Sequence, residues 1–260
     1  MAVLSPSGLP TFKKASELAG QLGLNAVIFG PPGVGKTTLC CTAQDSEHGR
    51  DVLLFDIDGG FQSVADRGDI AVWPDREELP NPTWKDFRKV IDQVISAGPK
   101  SPYKTLILDS ISSIYNDLIL VHITGSKEAQ PRIQDWGEAN RMLLKLISDC
   151  KTLNSYGINT FFIGHVQEER EQVGDKPEDY VTNIRLAGTP GARNEVLRTV
   201  NVVGYYGWDR KKVRRELQFR PAQRVDGPKF QQPQSGDQMP LTMVDPTMSE
   251  ILEHARKVKS

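Results

Sequence analysis

The chain of 260 residues has few cysteines, no long apolar run and almost no net charge. The first two features argue against a disulfide-rich protein and a membrane-spanning protein, and the net charge gives no overall sign of binding to nucleic acid or membranes. Of its three cysteines, Cys40 and Cys41 are neighbours that do not form a usual disulfide, and Cys150 lies far from both. No Cys/His cluster has the spacing of zinc ligands. The first ten residues lack the pattern of a signal peptide, and no stretch approaches the length of a membrane span. We therefore expect a protein of a reducing, cytoplasmic compartment with no membrane partner.

What the chain does contain is an alternation of short apolar runs with amphipathic segments. The runs, which predict buried strands, cover residues 25–30, 51–60, 70–74, 104–110 and 157–165. Segments with helical spacing follow them at 37–43, 84–97, 111–119 and 135–153. Strands that alternate with helices predict an α/β fold with a mainly parallel sheet flanked by helices.

The C-terminal half has a different pattern. Residues 166–192 are polar and without a period, which predicts a long loop region. Two strands, 199–206 and 213–220, are expected to form a β-hairpin. The domain division that follows is an N-terminal arm with a short helix over 1–23, a core over 24–220, and an irregular tail with a short helix over 221–260.

A phosphate-binding motif lies between the first strand and its helix. Residues 30–37 read Gly-Pro-Pro-Gly-Val-Gly-Lys-Thr and match G-x-x-x-x-G-K-[ST]. In this motif backbone N–H groups surround the phosphates, the lysine reaches the β- and γ-phosphates, and the threonine hydroxyl binds Mg²⁺. A glycine-proline turn with an incidental lysine is the alternative, which the strand–loop–helix context disfavours. We expect ATP and Mg²⁺ here, with contacts from Gly30, Pro31, Pro32, Gly33, Val34, Gly35, Lys36, Thr37 and Thr38.

Three polar residues follow other predicted strands and complete the candidate site. Asp109 ends the run TLILDS and is a candidate Mg²⁺ ligand together with Thr37; the alternative is a helix N-cap, a role that Ser110 could also fill. Asp58 follows LLFDI and could orient the attacking water, or belong to a polar turn. His165 ends INTFFIG and could contact the γ-phosphate, or be a structural histidine. We assign catalytic roles to Lys36, Asp58 and His165.

The order of these motifs resembles the RecA/Rad recombinase ATPase core. Within that class the chain is most similar to the phage RecA-like ATPases of the fourth Sak group, single-domain recombination proteins of the phage nucleotide-binding AAA class. The resemblance covers about residues 24–220 and rests on five segments: VIFGPPGVGKTTL, LLFDIDGGFQSV, YKTLILDSISSIYNDL, QDWGEANRMLLKLISDC and RLAGTPGARNEVLRTVNVVGYYG. It implies a RecA-like P-loop ATPase fold.

The resemblance also implies roles for individual positions. Asp58 falls where RecA-like enzymes place a catalytic glutamate, and its shorter side chain implies slow or DNA-stimulated hydrolysis. His165 falls at the γ-phosphate sensor, and residues 166–192 at the DNA-binding loops. Phe12-Lys-Lys-Ala15 resembles a motif that docks onto a neighbouring subunit, although core packing explains the same spacing.

A basic stretch follows the core strands. Between residues 193 and 229 there are ten Lys/Arg and four Asp/Glu, with aromatic residues nearby. Basic groups neutralise nucleic-acid phosphates, aromatic rings stack on unpaired bases, and an arginine can also reach the nucleotide of a neighbouring subunit. A solvated hairpin face is the alternative. The DNA-binding or trans-acting candidates are Arg193, Arg210, Lys211, Lys212, Arg214 and Arg215.

The leading functional hypothesis is an ATP-dependent recombination or annealing protein that binds single-stranded DNA and assembles into a ring or filament. A single-strand-binding protein is a candidate partner. The alternative is an ATP-gated protein-interaction ATPase, such as a helicase-loading or packaging accessory, with little DNA affinity. A small-molecule kinase is a third hypothesis, for which no acceptor-substrate lid is evident in the sequence.

Overall fold

The computed structural model describes residues 22–171, 179–184, 190–209, 213–219, 229–230 and 240–256. The Phe12–Ala15 motif and the basic residues Arg210, Lys211 and Lys212 lie outside them. All three cysteines are buried, free thiols. Among the described helices, none combines the length and the apolar character that crossing a bilayer requires.

A mainly parallel sheet forms the centre of the molecule, as the alternating pattern predicts. Its parallel strands are β1 (Asn25–Phe29), β2 (Val52–Asp56), β3 (Ala71–Trp73), β4 (Thr105–Asp109), β5 (Asn159–Gly164) and β8 (Val202–Trp208). They lie in the order β8-β1-β5-β4-β2-β3. Because all six point the same way, the segments after β1, β2, β4 and β5 meet at one edge of the sheet. That edge is where parallel α/β sheets bind ligands.

Helices cover both faces of the sheet. The helices, in chain order, are α1 (Lys36–Cys41), α2 (Trp84–Ala97), α3 (Ile111–Ser113), α4 (Val121–Thr124), α5 (Ile133–Ser155), α6 (Pro190–Thr199) and α7 (Met248–Arg256). A π-helical segment, Ile114–Leu120, joins α3 to α4, and a short 3-10 helix, Thr42–Asp45, extends α1. Helix α2 begins directly after Thr83, because Thr83 and Asp86 form a reciprocal capping box. It ends at Gly98, whose positive φ suits glycine.

Alternate residues of each strand enter two separate cores. Val27 and Phe29 of β1 pack against α2, the π-helical segment, α5 and α6, whereas Ala26 and Ile28 pack against α1 and α7. This follows from the period of two in a strand, since successive side chains point to opposite faces. Both faces are buried, which explains why the strands have continuous apolar runs.

The long loop predicted over residues 166–192 is wrong in part. Strands β6 (Val166–Glu171) and β7 (Asp179–Ile184) form an antiparallel two-stranded sheet separate from the main one, and α6 begins at Pro190. The polar sequence carries no apolar period because neither strand belongs to the main sheet. Backbone hydrogen bonds between β6 and β7 therefore define these strands, and such pairing does not require a pattern of apolar side chains that could be read from the sequence.

The C-terminal part of the chain is joined to the same sheet. The predicted hairpin is confirmed, with β9 (Arg215–Gln218) antiparallel to β8. The pairs β10 (Lys229–Phe230) with β8 and β11 (Thr242–Val244) with β9 extend it beyond the predicted core. Helix α7 buries Met248, Ile251, Leu252 and Ala255 in the second core. Helix α7 lies where the short helix of the C-terminal segment was predicted, whereas β10 and β11 were not expected from the turn-rich composition.

Candidate nucleotide-binding site

The P-loop follows β1 in a conformation that needs its glycines. Gly33 and Gly35 have φ of 73° and 93°, a left-handed region that other residues rarely adopt. A Cβ at Gly30 would lie 1.9 Å from the carbonyl oxygen of Tyr206, so only glycine fits between the loop and β8. No side chain caps the first turn of α1, whose backbone N–H groups therefore have no side-chain acceptor at this end.

Lys36 is the buried cation of this loop. Its Nζ donates hydrogen bonds to the carbonyl oxygens of Gly30 at 3.0 Å and of Pro31 at 2.9 Å. Burial lowers the pKa of the ammonium group, and the negative charges of Asp109 and Asp58 offset part of that effect. The lysine is thus held inside the loop that the sequence motif assigns to phosphates.

Thr37 and Asp109 meet across the sheet edge. The Thr37 hydroxyl donates to Asp109 Oδ2 at 2.5 Å. A Cβ placed on Gly60 would lie 3.8 Å from Thr37 Oγ1, 3.8 Å from Asp56 Oδ1 and 4.0 Å from Asp109 Oδ2. One hydroxyl and two carboxylates therefore converge around a residue without a side chain.

The Asp109 carboxyl has the properties of a group that requires a cation. Burial raises its pKa to about 6, with further contributions from Asp58 and Asp56, against the lowering effects of Thr37 and Lys36. Ser110, the alternative cap, is the residue that caps α3: its Oγ accepts from the backbone N–H of Ser113. Asp109 is thus not the N-cap of this helix.

These oxygen donors fit Mg²⁺ held jointly by the protein and a nucleotide. Hydroxyl and carboxylate oxygens are the ligands that Mg²⁺ prefers, and Mg²⁺ is usually held by one or two carboxylates together with substrate phosphates. In the described part of the chain no group of three or more His, Cys, Asp or Glu is arranged to hold a metal ion on its own.

Asp58 and His165 form a hydrogen-bonded pair at the same edge of the sheet. His165 Nε2 lies 2.8 Å from Asp58 Oδ2. Burial raises the pKa of Asp58, but hydrogen bonds from His165, Ser113 and Ser110 outweigh it and leave the pKa below its usual value. The backbone N–H of His165 also donates to Ser112 Oγ at 3.4 Å. Asp58 is therefore a charged acceptor of hydrogen bonds, and a weak base.

Asp56 and Arg76 shape the same loop, although the sequence did not single them out. The buried Asp56 carboxylate accepts from the backbone N–H groups of Gly60 at 2.8 Å and Phe61 at 3.3 Å. The Arg76 guanidinium donates to the carbonyl oxygens of Asp56 and Ile57, both at 2.9 Å. The acid run FDID hints at Asp56, whereas nothing in the sequence indicates Arg76, which lies 18 residues from Asp58.

Three of the six basic candidates lie within the described residues. Arg193 is half-buried in α6, and Arg214 is exposed in the turn before β9. Arg215 lies beside the P-loop of its own chain, since a Cβ on Gly35 would be 3.3 Å from Arg215 Nη1.

The fold and this site define an α/β P-loop domain with the residues needed to bind a nucleotide. A family model described as AAA domain matches residues 22–228, so the chain belongs to the AAA domain family. No curated protein matches the chain. The narrower resemblance to a phage recombination group stays a prediction.

Two solved structures are similar to this chain at low identity. A KaiC-like protein, PH0186 from the hyperthermophilic archaeon Pyrococcus horikoshii OT3, is 15% identical over 79% of this chain and 83% of its own, with a TM-score of 0.43. The RadB recombinase is 16% identical over 82% of this chain and 89% of its own, also with a TM-score of 0.43.

Proposed function

We propose that the protein is an ATPase that binds single-stranded DNA and acts in recombination or strand annealing as a ring or filament. The observation that carries the ATPase part is the convergence of Lys36, Thr37, Asp109 and the Asp58–His165 pair at one sheet edge. Hydrolysis of a nucleoside triphosphate needs a phosphate cradle, a cation site and an acceptor that orients water, and this set provides one of each.

Each residue has a separate task in this proposal. Lys36 binds the phosphates, while Thr37 and Asp109 hold Mg²⁺, which neutralises negative charge on the phosphates. Asp58 orients the attacking water by accepting its hydrogen bond. His165 keeps Asp58 charged and correctly placed. Because a carboxylate with a lowered pKa is a weak base, we expect slow hydrolysis.

The link to DNA rests on the position of His165. It lies between β5 and β6, directly before the segment that the sequence resemblance assigns to DNA-binding loops. Contact between His165 and the nucleotide could therefore change the order of the β6 and β7 strands, in the way that bound nucleotide orders loops in other nucleotide switches. Exposed Arg214 and Trp208, in and beside the β8–β9 turn, offer a cation and an aromatic face for single strands.

One observation favours the second candidate, an ATP-gated protein-interaction ATPase. Residues 166–192 contain six acidic and three basic side chains, a net charge of −3, which opposes binding to a phosphate backbone. An acidic hairpin coupled to His165 suits a basic protein partner better than DNA.

A titration with a labelled single-stranded oligonucleotide separates the two candidates. We expect salt-dependent binding that changes when ATP is added, measured by fluorescence anisotropy in low and high salt. Absence of binding at low salt, with ATP present, would reject the DNA proposal and favour the protein-interaction candidate.

A lysine variant tests the ATPase proposal separately. Lys36→Ala should abolish ATP hydrolysis, measured as phosphate release, because it removes the buried phosphate-binding cation. The matched control is Lys145→Ala, which replaces an exposed lysine on α5, a helix that packs on the opposite face of the sheet from α1. Normal hydrolysis by a folded Lys36→Ala protein would show that the phosphate site has been assigned wrongly.

A further inference from the structure

The β8–β9 hairpin contacts the P-loop of its own subunit at two points. The carbonyl oxygen of Tyr206 lies against Gly30, and the Arg215 guanidinium lies against Gly35. Strand β8 is paired in parallel with β1, with Tyr205 opposite Phe29. The register of the sheet therefore fixes the hairpin beside the loop, without help from a neighbouring subunit.

Two aromatic residues hold the Arg215 guanidinium in this place. Trp208 is directly opposite Arg215 on the paired strand, and the guanidinium carbon lies 5.2 Å from the centroid of its ring. The guanidinium also lies close enough to the buried Tyr206 hydroxyl to lower its pKa, against the larger raising effect of burial. None of the ion pairs found within the described residues involves Arg215.

We propose that Arg215 binds the polyphosphate of the nucleotide held by its own subunit, with Trp208 and Tyr206 as positioning residues. This deepens the proposed function and rests on nucleotide binding at the P-loop. A guanidinium presents a planar fork of donors that matches phosphate oxygens, and stacking on an aromatic ring orients that fork. Backbone N–H groups of a P-loop surround the α- and β-phosphates, so an arginine beside Gly35 serves ADP and ATP alike.

The cis assignment differs from the trans role considered from the sequence. A side chain that serves a neighbouring subunit would have to leave both Trp208 and Gly35. It would then contribute only in the assembled protein, and mainly to hydrolysis. A cis residue contributes to binding in each subunit, whatever the state of assembly.

The first test measures nucleotide affinity by calorimetry in the full chain. Arg215→Ala should weaken binding of both ADP and ATP about tenfold or more, because charge-assisted hydrogen bonds to phosphate are among the stronger polar contacts. The affinity of Arg215→Lys should lie between those of the wild type and Arg215→Ala, since lysine keeps the charge but lacks the planar fork of donors. Arg141→Ala, which removes an exposed arginine that pairs with Glu138 on α5, is the matched control and should change affinity less than twofold. If Arg215→Ala does not fold, Arg215→Gln retains the aliphatic stem and takes its place.

The second test mixes two defective proteins. Lys36→Ala has an intact Arg215, and Arg215→Ala has an intact P-loop. A cis residue predicts that the mixture hydrolyses ATP no faster than the sum of its parts. Recovery of activity on mixing would assign Arg215 to the neighbouring subunit and overturn the inference.

Tryptophan emission provides a readout independent of activity. Addition of ADP to the wild-type protein should change emission, and Trp208→Phe should lose most of that change. Unaltered affinity in folded Arg215→Ala, or an unaltered signal in Trp208→Phe, would overturn the inference while leaving the proposed function intact. If instead the wild-type protein binds no nucleotide, the proposed function itself fails, and this inference with it.

Discussion

The imidazole of His165 and the carboxylate of Asp58 lie 2.8 Å apart, although their strands are not neighbours in the sheet. Asp58 follows β2 and His165 follows β5, and β4 lies between the two strands. The pair therefore spans the end of β4, where Asp109 is located. Because these three strand ends lie side by side, a substitution at one of them is expected to affect the residues at the other two.

Removal of the imidazole should affect hydrolysis more than binding. In His165→Ala the hydrogen bond from the imidazole, the largest effect that lowers the pKa of Asp58, is absent, so the pKa of Asp58 rises. The low-pH limb of the rate profile, where Asp58 loses its charge, should move to higher pH. We also expect the rate of hydrolysis to fall by about 10–100-fold, with ATP affinity nearly unchanged. His122→Ala, at an exposed position on α4, is the control; coincident pH profiles of the wild type and His165→Ala would contradict this role.

Neutralisation of Asp109 should stabilise the metal-free protein while removing its response to magnesium. Burial raises the Asp109 pKa from 3.8 to about 6 in the folded state, so the folded chain binds more protons than the unfolded chain between these values. Stability therefore falls as pH rises through this window. At pH 8 the free energy of unfolding of Asp109→Asn should exceed that of the wild type by about 3 kcal/mol, and this advantage should be lost below about pH 4.

The same variant should lose the magnesium-dependent stabilisation by ATP in thermal unfolding. Asp117→Asn, which breaks a surface ion pair with Lys127, should change neither property. Retention of the magnesium effect in Asp109→Asn would remove Asp109 from the cation site.

Arg76 is expected to stabilise the loop that carries Asp58. Arg76→Ala removes two hydrogen bonds to the carbonyl oxygens of Asp56 and Ile57. We expect the free energy of unfolding to fall by about 1–3 kcal/mol and hydrolysis to slow, with nucleotide affinity nearly unchanged. The control Arg67→Ala breaks a surface pair with Asp45 and should cost less than about 1 kcal/mol. Equal effects of the two substitutions in urea denaturation would count against a special role for Arg76.

Two glycine-to-alanine substitutions should have opposite effects on stability. At Gly30 the added Cβ would lie 1.9 Å from a backbone oxygen of β8, so the strand or the loop has to move. We expect a loss of about 1–3 kcal/mol or more, together with weaker nucleotide binding. At Gly137, exposed within α5, a Cβ meets nothing within 4 Å. There alanine should add about 0.5–1 kcal/mol. The midpoints of urea denaturation measure the effects of both substitutions. A Gly30→Ala protein as stable as the wild type would contradict the prediction.

The site could be predicted where a residue type, its spacing and its place after a strand coincide. Lys36 and Thr37 belong to a local motif, and Asp109, Asp58 and His165 each follow an apolar run. A parallel sheet then brings the ends of those runs to one edge. Arg76 could not be found in this way, since its role depends on two carbonyl oxygens that any residue could supply.

The amino-acid sequence by itself determined the strand and helix pattern, the parallel core and the P-loop, because periodicity, glycine positions and a contiguous motif are local properties. The β6–β7 strands, the packing of α7 and the position of Arg215 were decided only by the tertiary structure. Main-chain pairing of polar strands leaves no side-chain period. Contacts such as that between Gly35 and Arg215 join residues 180 positions apart, and only the register of β8 beside β1 brings them together.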